Sequence, residues 1–160
     1  KKDNNMLVYQ LVDARKILDK VSNYEGIDFA YVVFKNKQLI DNKLMEVEFI
    51  KNVSPEIIHY EEQRISFCEQ YSKKDENNNS IIVNDLYTIK EELQDEFKNK
   101  MDELYNKYKT SIDERRMQID IFNNKMNEES NLQFYKIKKE QIPPQIKNAQ
   151  DLDEIAFIVE

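Results

Sequence analysis

The chain has a single histidine, and this side chain is the first candidate for catalysis or metal binding. His59 is followed by Glu61 and Glu62, and a histidine beside carboxylates can serve as a general base or a metal ligand. A zinc site needs at least two further ligands, and no HxxxH spacing supplies them. The pattern therefore favours a structural His59 that is at the surface or half-buried.

The only cysteine is the second candidate. Cys68 shares an apolar helical stripe with Ile65 and Tyr71, which is typical of a small buried hydrophobic side chain. A nucleophilic cysteine needs a nearby base and an electropositive setting, whereas Glu69 follows it directly. A lone cysteine cannot form an intramolecular disulfide. We therefore expect neither a nucleophile nor a disulfide at this position.

Adjacent carboxylates are the third candidate, because glycosidases and two-metal enzymes use paired acids. Such pairs include Glu61-Glu62, Glu91-Glu92, Asp95-Glu96 and Asp102-Glu103. Neighbouring residues of a helix point about 100° apart, so these pairs do not converge on one site. Residues Asp75–Asn79 have oxygen ligands but lack the central glycine and closing glutamate of a calcium loop. We expect a non-enzymatic protein without a cofactor or a metal.

The composition indicates which elements hold these side chains. The chain has 160 residues, of which 40% are hydrophobic and 34% charged. That length fits a single domain. One glycine and three prolines are present, whereas sheets and barrels need many tight turns. We therefore predict one mainly α, elongated domain. No apolar run is long enough to span a bilayer, so we expect no membrane partner.

Apolar spacing predicts two helical segments in the first half of the chain. A short helix covers residues 6–22, where apolar residues recur at steps of three and four, and Gly26 beyond it is expected to provide a left-handed cap. A first arm follows over 28–72. This arm is predicted to kink or break briefly near 54–55, because Pro55 cannot donate a backbone hydrogen bond. Ser54 can cap a new helical start there, with Pro55 at the first helical position.

A second arm is predicted over 89–129, starting at a capping box formed by Thr88 and Glu91. It has no proline or glycine and would be about 60 Å long at 1.5 Å per residue. A helix of this length needs an antiparallel neighbour, and the first arm is the only candidate. We therefore predict a long antiparallel helical hairpin that resembles a coiled coil.

Short β structure is predicted on either side of the second arm. Residues 80–88 form a small β-hairpin around a two-residue turn at Asn84-Asp85. Residues 131–160 form a strand-like segment with a short helix, in which Leu132–Ile137 alternates as a strand does and Gln150–Ile155 is helical.

Charge is concentrated in the middle of the chain. Residues 53–129 carry eleven basic and eighteen acidic side chains, a net −7, while 1–52 and 130–160 contribute +1 and −1. Such a surface repels a phosphate backbone, so we expect no direct nucleic-acid binding. A basic protein partner fits it better. The other open interpretation is that these charges simply keep exposed helices in solution.

A resemblance to a known group of proteins rests on four short motifs. Gly26–Tyr31 contains an Ala-Tyr dipeptide, Lys35-Asn36 follows, Tyr71–Asn77 ends the first arm, and Leu132–Ile137 is strand-like. In this order they resemble small uncharacterised proteins of tailed bacteriophages. The resemblance implies a phage or prophage origin, and a location in the cytoplasm of an infected or lysogenic bacterium or in the virion. It implies no activity and no catalytic residue.

Two main functions remain, beside a third and minor possibility, a hydrolase built around His59 and the nearby glutamates. The first is a non-enzymatic interaction or assembly protein that self-associates or binds another protein, because the apolar pattern is longer than the remaining chain can cover. The expected contact residues are Ile81, Ile82, Val83, Leu93, Phe97, Met101, Leu104, Tyr108 and Ile112. The helical members would face an apolar row of the first arm that comprises Val33, Ile40, Val47, Ile57 and Ile65. Ile81–Val83 is expected to pair edge to edge with another strand.

The alternative is an acidic inhibitor or decoy that blocks a nucleic-acid-binding enzyme of the host. Mimicry of a phosphate backbone requires continuous rows of carboxylates. Here lysines interrupt the rows at Lys98, Lys100, Lys107 and Lys109, which weighs against the decoy.

Overall fold

The computed structural model describes residues 5–160, and helices account for most of them. The mainly α prediction is confirmed. The helices are α1 (Val8–Lys20), α2 (Ile27–Met45), α3 (Pro55–Tyr71), α4 (Gln94–Met126) and α5 (Ala149–Glu154). Two short strands, β1 (Ile82–Val83) and β2 (Leu86–Tyr87), form an antiparallel sheet.

The described residues divide into two compact units, where the composition predicts one elongated domain. The first unit contains the described residues through Ile50 together with Ile121–Glu160, and the second unit is Lys51–Asp120. The boundary falls inside α4, so this helix contributes to both units. A length of 160 residues is compatible with one domain or with two small ones, which is why composition does not separate them.

The core of the first unit forms around α1 and α2. The stripe predicted on α1 is buried, and α1 packs against α2 through it. Residues near the C-terminal end of the chain complete this core, because Ile137, Ile155 and Ile158 are fully buried in it. The core residues on α1 and α2 are Leu11, Ala14, Leu18, Phe29, Val32, Val33 and Ile40.

Gly26 precedes the start of a helix. The sequence analysis predicted instead that it would end the preceding helix. Gly26 is the residue before α2 and has a φ of +108°. Its carbonyl accepts a hydrogen bond from the amide of Ala30. Helix α1 already ends at Lys20, and Val21 caps it through bonds to the carbonyls of Ile17 and Asp19. A glycine is suited to this position because side chains strongly disfavour such a φ.

The first arm is not one kinked helix. Helix α2 ends at Met45, a 3-10 turn covers Glu48–Lys51, and α3 begins at Pro55. The predicted start at Ser54-Pro55 is present, since the Ser54 hydroxyl accepts a hydrogen bond from the amide of Ile57 at 3.3 Å. The prediction missed the preceding turn because apolar residues continue through it at helical spacing.

The second arm begins later than predicted. A 3-10 turn at Glu91–Leu93 precedes α4, which starts at Gln94 and not at residue 89. Thr88 is not a helix cap, because its amide donates to the carbonyl of Ile81 and its carbonyl accepts from the amide of Lys73. Tertiary hydrogen bonds hold this residue extended and override the local capping signal.

The β-hairpin agrees with its prediction. Ile82 pairs with Tyr87 and Val83 with Leu86. Asn84 and Asp85 occupy the two-residue turn with φ of 50° and 63°. Two positive φ values are characteristic of a type I′ turn, whose twist matches that of the strands.

The strand predicted at Leu132–Ile137 is wrong. Only Ile137 makes a bridge, a parallel one with Val159. The residues before it are irregular and are held by a side chain, because the fully buried Asn36 bonds both backbone groups of Tyr135. The short helix predicted at 150–155 is α5, capped by the Asn148 side chain.

Candidate interaction surface

The base of the β-hairpin is held by a dense set of hydrogen bonds at the end of α3. Ser72 is fully buried, and its hydroxyl donates to the carbonyl of Glu69 and lies 2.7 Å from the Ser80 hydroxyl. The Lys74 ammonium donates to the same Ser80 oxygen at 2.8 Å. The amide of Ile81 donates to the Lys73 carbonyl at 2.9 Å. These bonds fix the direction in which the hairpin projects.

The tip of the hairpin is apolar and exposed. Ile82, Val83 and Leu86 are 54%, 57% and 71% exposed. We call residues 81–88 the finger. Successive side chains of a strand point to opposite faces, so Ile82 lies on one face and the Val83–Leu86 pair on the other. A single supporting helix cannot cover both faces at once.

The backbone edge of the finger is too short for the predicted edge-to-edge pairing to be its main use. In a hairpin closed by a two-residue turn, Val83 and Leu86 bond to each other. Thr88 also bonds inward, to the carbonyl of Ile81. Ile82 is thus the only residue of β1 whose backbone groups face outward. The finger therefore offers side chains more than a strand edge.

Helices α3 and α4 contact each other within the second unit. The rings of Tyr60 and Tyr108 are 5.9 Å apart, and those of Tyr71 and Phe97 are 5.8 Å apart. The order of these two contacts is reversed along the two helices. The Tyr71 hydroxyl donates to Glu96 at 2.9 Å, and this bond to a carboxylate raises the pKa of Tyr71.

The residues predicted as a contact stripe are only partly available. Leu104 and Ile112 are buried, and Leu93, Phe97, Met101 and Tyr108 are half-buried. Of the row predicted to face them, Val33 and Ile40 lie in the core of the first unit with α1. Ile57 is half-buried and Ile65 exposed on α3, and Val47 is buried. Ile81 is half-buried, so Ile82 and Val83 are the predicted residues most open to a partner.

Leu86 is the finger residue that the sequence analysis missed. Its position after Asn84-Asp85 makes it the direct partner of Val83. Cross-strand neighbours share one face and one environment, so the exposure of Val83 implied the exposure of Leu86. The Asn84-Asp85 turn in the sequence is enough to predict that Leu86 pairs with Val83.

The candidate catalytic side chains do not converge. His59 is exposed, with its Nδ1 atom 3.7 Å from a Glu62 oxygen. Cys68 is buried, and burial raises the pKa of its thiol, which disfavours the nucleophilic thiolate. Glu61 binds Arg64 through two guanidinium nitrogens at 3.1 and 2.9 Å. This hydrogen bond raises the pKa of Arg64.

The absence of a metal-binding cluster and of a membrane-spanning helix concerns residues 5–160. No group of three or more His, Cys, Asp and Glu side chains in that range is arranged to hold a metal ion. Within the same range, no helix combines the length and apolar character needed to cross a bilayer.

Comparison with known proteins gives no further guide to this surface. The chain matches no protein-family model, no curated protein and no solved structure. The resemblance to tailed-phage proteins therefore stays a prediction.

Proposed function

We propose that the chain is a non-enzymatic interaction protein whose second unit binds another protein through the finger. The observation that carries the proposal is the exposure of Ile82, Val83 and Leu86 on a hairpin with a firmly bonded base. Exposed aliphatic clusters on a fixed support are typical of binding sites.

We infer that α3 and the N-terminal half of α4 form an antiparallel, coiled-coil-like pair that supports the finger. The two ring contacts in reversed order support this arrangement. The burial of Leu104 and Ile112 supports it as well, because these residues are eight apart and lie near one face of α4. The pair presents the finger at the end where α3 finishes.

The partner that fits the finger is a protein with an apolar pocket. A stable interface buries about 800 Å² on each side, and two fingers laid together have only three large exposed side chains each. A concave surface can enclose both faces of the finger and the adjoining helix ends. The second unit has eleven basic and sixteen acidic residues, so a pocket with a basic rim is favoured electrostatically.

An assembly role is the biological setting that we propose. The resemblance to tailed-phage proteins supports it, since assembly proteins act by binding other proteins. The acidic second unit supports a protein partner over a nucleic acid.

The test compares two double variants with the wild-type chain. In the first, Ile82→Ser is combined with Leu86→Ser. In the control, Met117→Ser is combined with Ile119→Ser, which removes two exposed apolar side chains of α4. Each protein is immobilised, exposed to lysate of its native host, and the retained proteins are quantified by mass spectrometry. Circular dichroism verifies that the helices are kept.

We expect at least one protein that the wild type and the control retain equally and that the finger variant loses by about tenfold or more. The same retained set for all three proteins would overturn the proposal. Loss in both double variants would show that general apolar surface, and not the finger, causes retention.

A further inference from the structure

Helix α2 has a second apolar stripe on the face opposite the core of the first unit. Ile27, Tyr31, Phe34 and Met45 are 83%, 56%, 56% and 63% exposed. Two exposed polar residues complete the row. We call the following six residues the α2 stripe: Ile27, Tyr31, Phe34, Gln38, Asp41 and Met45. Their steps alternate between four and three, which keeps them on one side of a helix.

We propose that the α2 stripe binds the same stripe of a second copy of this chain, with the two helices antiparallel about a two-fold axis. The spacing reads the same from either end. An antiparallel copy therefore places Ile27 opposite Met45, Tyr31 opposite Asp41 and Phe34 opposite Gln38, and every contact is made twice. No helix of a different sequence is needed to complete the pattern.

The facing groups are chemically matched. Ile27 and Met45 are both apolar. The Tyr31 hydroxyl donates a hydrogen bond, and the Asp41 carboxylate opposite it accepts one. That carboxylate is already positioned in its own copy, because Arg15 binds it with its Nε atom at 2.7 Å.

A groove beside the stripe provides space for the partner's side chains. It has a volume of about 390 Å³ and lies between α1 and α2. Phe34, Gln38 and Asp41 of the stripe line it, together with Arg15 and Ser22. The Phe34 ring of the second copy is the largest side chain near the axis, and this groove accepts it.

The lysines that flank the stripe are already paired within each copy. Lys37 lies 2.9 Å from the Asp19 carboxylate, and Lys35 lies 5.6 Å from the centre of the Tyr135 ring. Like charges would otherwise meet close to the two-fold axis and oppose association. The Lys37–Asp19 ion pair inside each copy reduces that cost.

The area suits a reversible dimer. At the scale of 150–250 Å² for a large side chain, the four exposed residues offer on the order of 500 Å² per copy. Stable interfaces bury about 800 Å² per partner. Tyr135 borders the stripe, with its ring 6.4 Å from that of Tyr31, and enlarges the patch. We expect dissociation in the micromolar range, on the order of 1–100 µM.

The first experiment measures sedimentation equilibrium over roughly 1–200 µM protein, a range set by the expected affinity. Wild type is expected to show a monomer–dimer equilibrium. In Phe34→Glu, each copy contributes two carboxylates near the axis, those of residue 34 and Asp41, so four negative charges meet there. We expect this repulsion to weaken association by about tenfold or more. The control, Met117→Glu, changes an equally exposed residue on α4 and is expected to leave it unchanged.

The second experiment tests the direction of the helices by oxidative crosslinking. In an antiparallel pair, residues 27 of the two copies are about 27 Å apart, at 1.5 Å per residue, and so are residues 45. Ile27→Cys alone and Met45→Cys alone should therefore not crosslink, whereas a mixture of the two should form a heterodimer. Wild type controls for Cys68.

Three outcomes overturn the proposal. They are a wild-type monomer over the whole range, a dimer that Phe34→Glu leaves intact, and crosslinking of Ile27→Cys with itself. The result is independent of the proposed function, because the finger lies in the second unit and the α2 stripe in the first. If the finger variant loses its partner protein but still dimerises, the proposed function and the dimer are shown to be separate properties.

Discussion

Asn36 joins two parts of the first unit that are far apart in sequence. Its side-chain amide donates to the carbonyl of Tyr135 at 3.0 Å, and its oxygen accepts from the amide of Tyr135 at 2.8 Å. The Asn36 side chain is fully buried. A buried backbone group without a partner is costly, so this one side chain takes the place of a neighbouring strand.

We predict that Asn36→Ala lowers the free energy of unfolding by about 2–4 kcal/mol, because the amide and carbonyl of Tyr135 lose their partner and a fully buried side chain is truncated. Urea unfolding followed by circular dichroism measures the change. Asn42→Ala is the matched control, since Asn42 is exposed on the same helix and its loss should cost under about 0.5 kcal/mol. Equal midpoints for the two variants would contradict the role given to Asn36.

Asp19 is the centre of a small ionic network between α1 and α2. Lys37 lies 2.9 Å from its carboxylate, and Arg15 binds it as well. The hydrogen bond from Lys37 is the largest cause that lowers the pKa of Asp19, and the bond from Arg15 is the next. The same network raises the pKa of Arg15, chiefly through Asp41.

We predict that this network stabilises the fold at neutral pH and loses its effect in acid. The folded pKa of Asp19 lies below its unfolded value of about 3.9. The stabilisation is therefore complete above about pH 4–5 and disappears as pH falls through the folded pKa. The difference in urea midpoint between wild type and Asp19→Asn should shrink as pH is lowered from about 7 to 3. A difference that stays constant over this range would contradict the role given to Asp19.

The sequence predicts the exposure or burial of some residues correctly and that of others wrongly. The sequence predicts that His59 is at the surface or half-buried and that Cys68 is buried, and in the structure His59 is exposed and Cys68 buried. Asn36 is different, because an asparagine inside an apolar pattern reads as an exposed residue. Its partner is a backbone segment about a hundred positions away, and side-chain spacing carries no information on such a contact.

At the scale of elements, the finger depends on its turn. Asn84 and Asp85 both adopt positive φ, which asparagine and aspartate tolerate better than most residues but glycine tolerates best. The turn sets the register that brings Val83 opposite Leu86.

We predict that Asp85→Gly stabilises the finger by about 0.5–1 kcal/mol, because it converts the turn to Asn-Gly and removes the strain of a side chain at positive φ. Hydrogen exchange of the Thr88 amide, which bonds across the hairpin, should slow by roughly two- to fivefold. Asp85→Val should have the opposite effect, because β-branched side chains resist positive φ. Unchanged exchange in both variants would show that the base of the hairpin alone controls its stability.

Local signals predict an element well when nothing distant competes with them. The stripe of α1, the start of α3 at Ser54-Pro55 and the hairpin turn all follow from neighbouring residues. Thr88 carries a sound capping signal, yet the backbone bonds from Lys73 and to Ile81 keep it extended. The break after Met45 escaped prediction for a related reason, since a 3-10 turn preserves steps of three.

At the scale of the whole molecule, residues near both ends of the sequence build one core. Ile155 and Ile158 lie with α1 and α2 in the first unit, although more than a hundred residues separate them from those helices. Hydrophobic periodicity identifies buried faces but does not say which faces meet. That is why the sequence predicts an apolar stripe on α4 but wrongly expects Val33 and Ile40 to pack against it.

We predict that Ile158→Ala lowers the free energy of unfolding by about 2–5 kcal/mol, because Ile158 is fully buried and its truncation leaves a cavity. Leu152→Ala is the control, as Leu152 is exposed and should cost under about 1 kcal/mol. Thermal unfolding measures both. A small effect of Ile158→Ala would mean that the core closes without the segment that carries it.

The interleaved order of the two units has a consequence for synthesis on the ribosome. Every residue of the second unit has been translated by Asp120, whereas the first unit waits for Ile158. Helices α1 and α2 are translated before the second unit, and Ile155 and Ile158 after it, so part of the core that α1 and α2 build is added only when the second unit has been made.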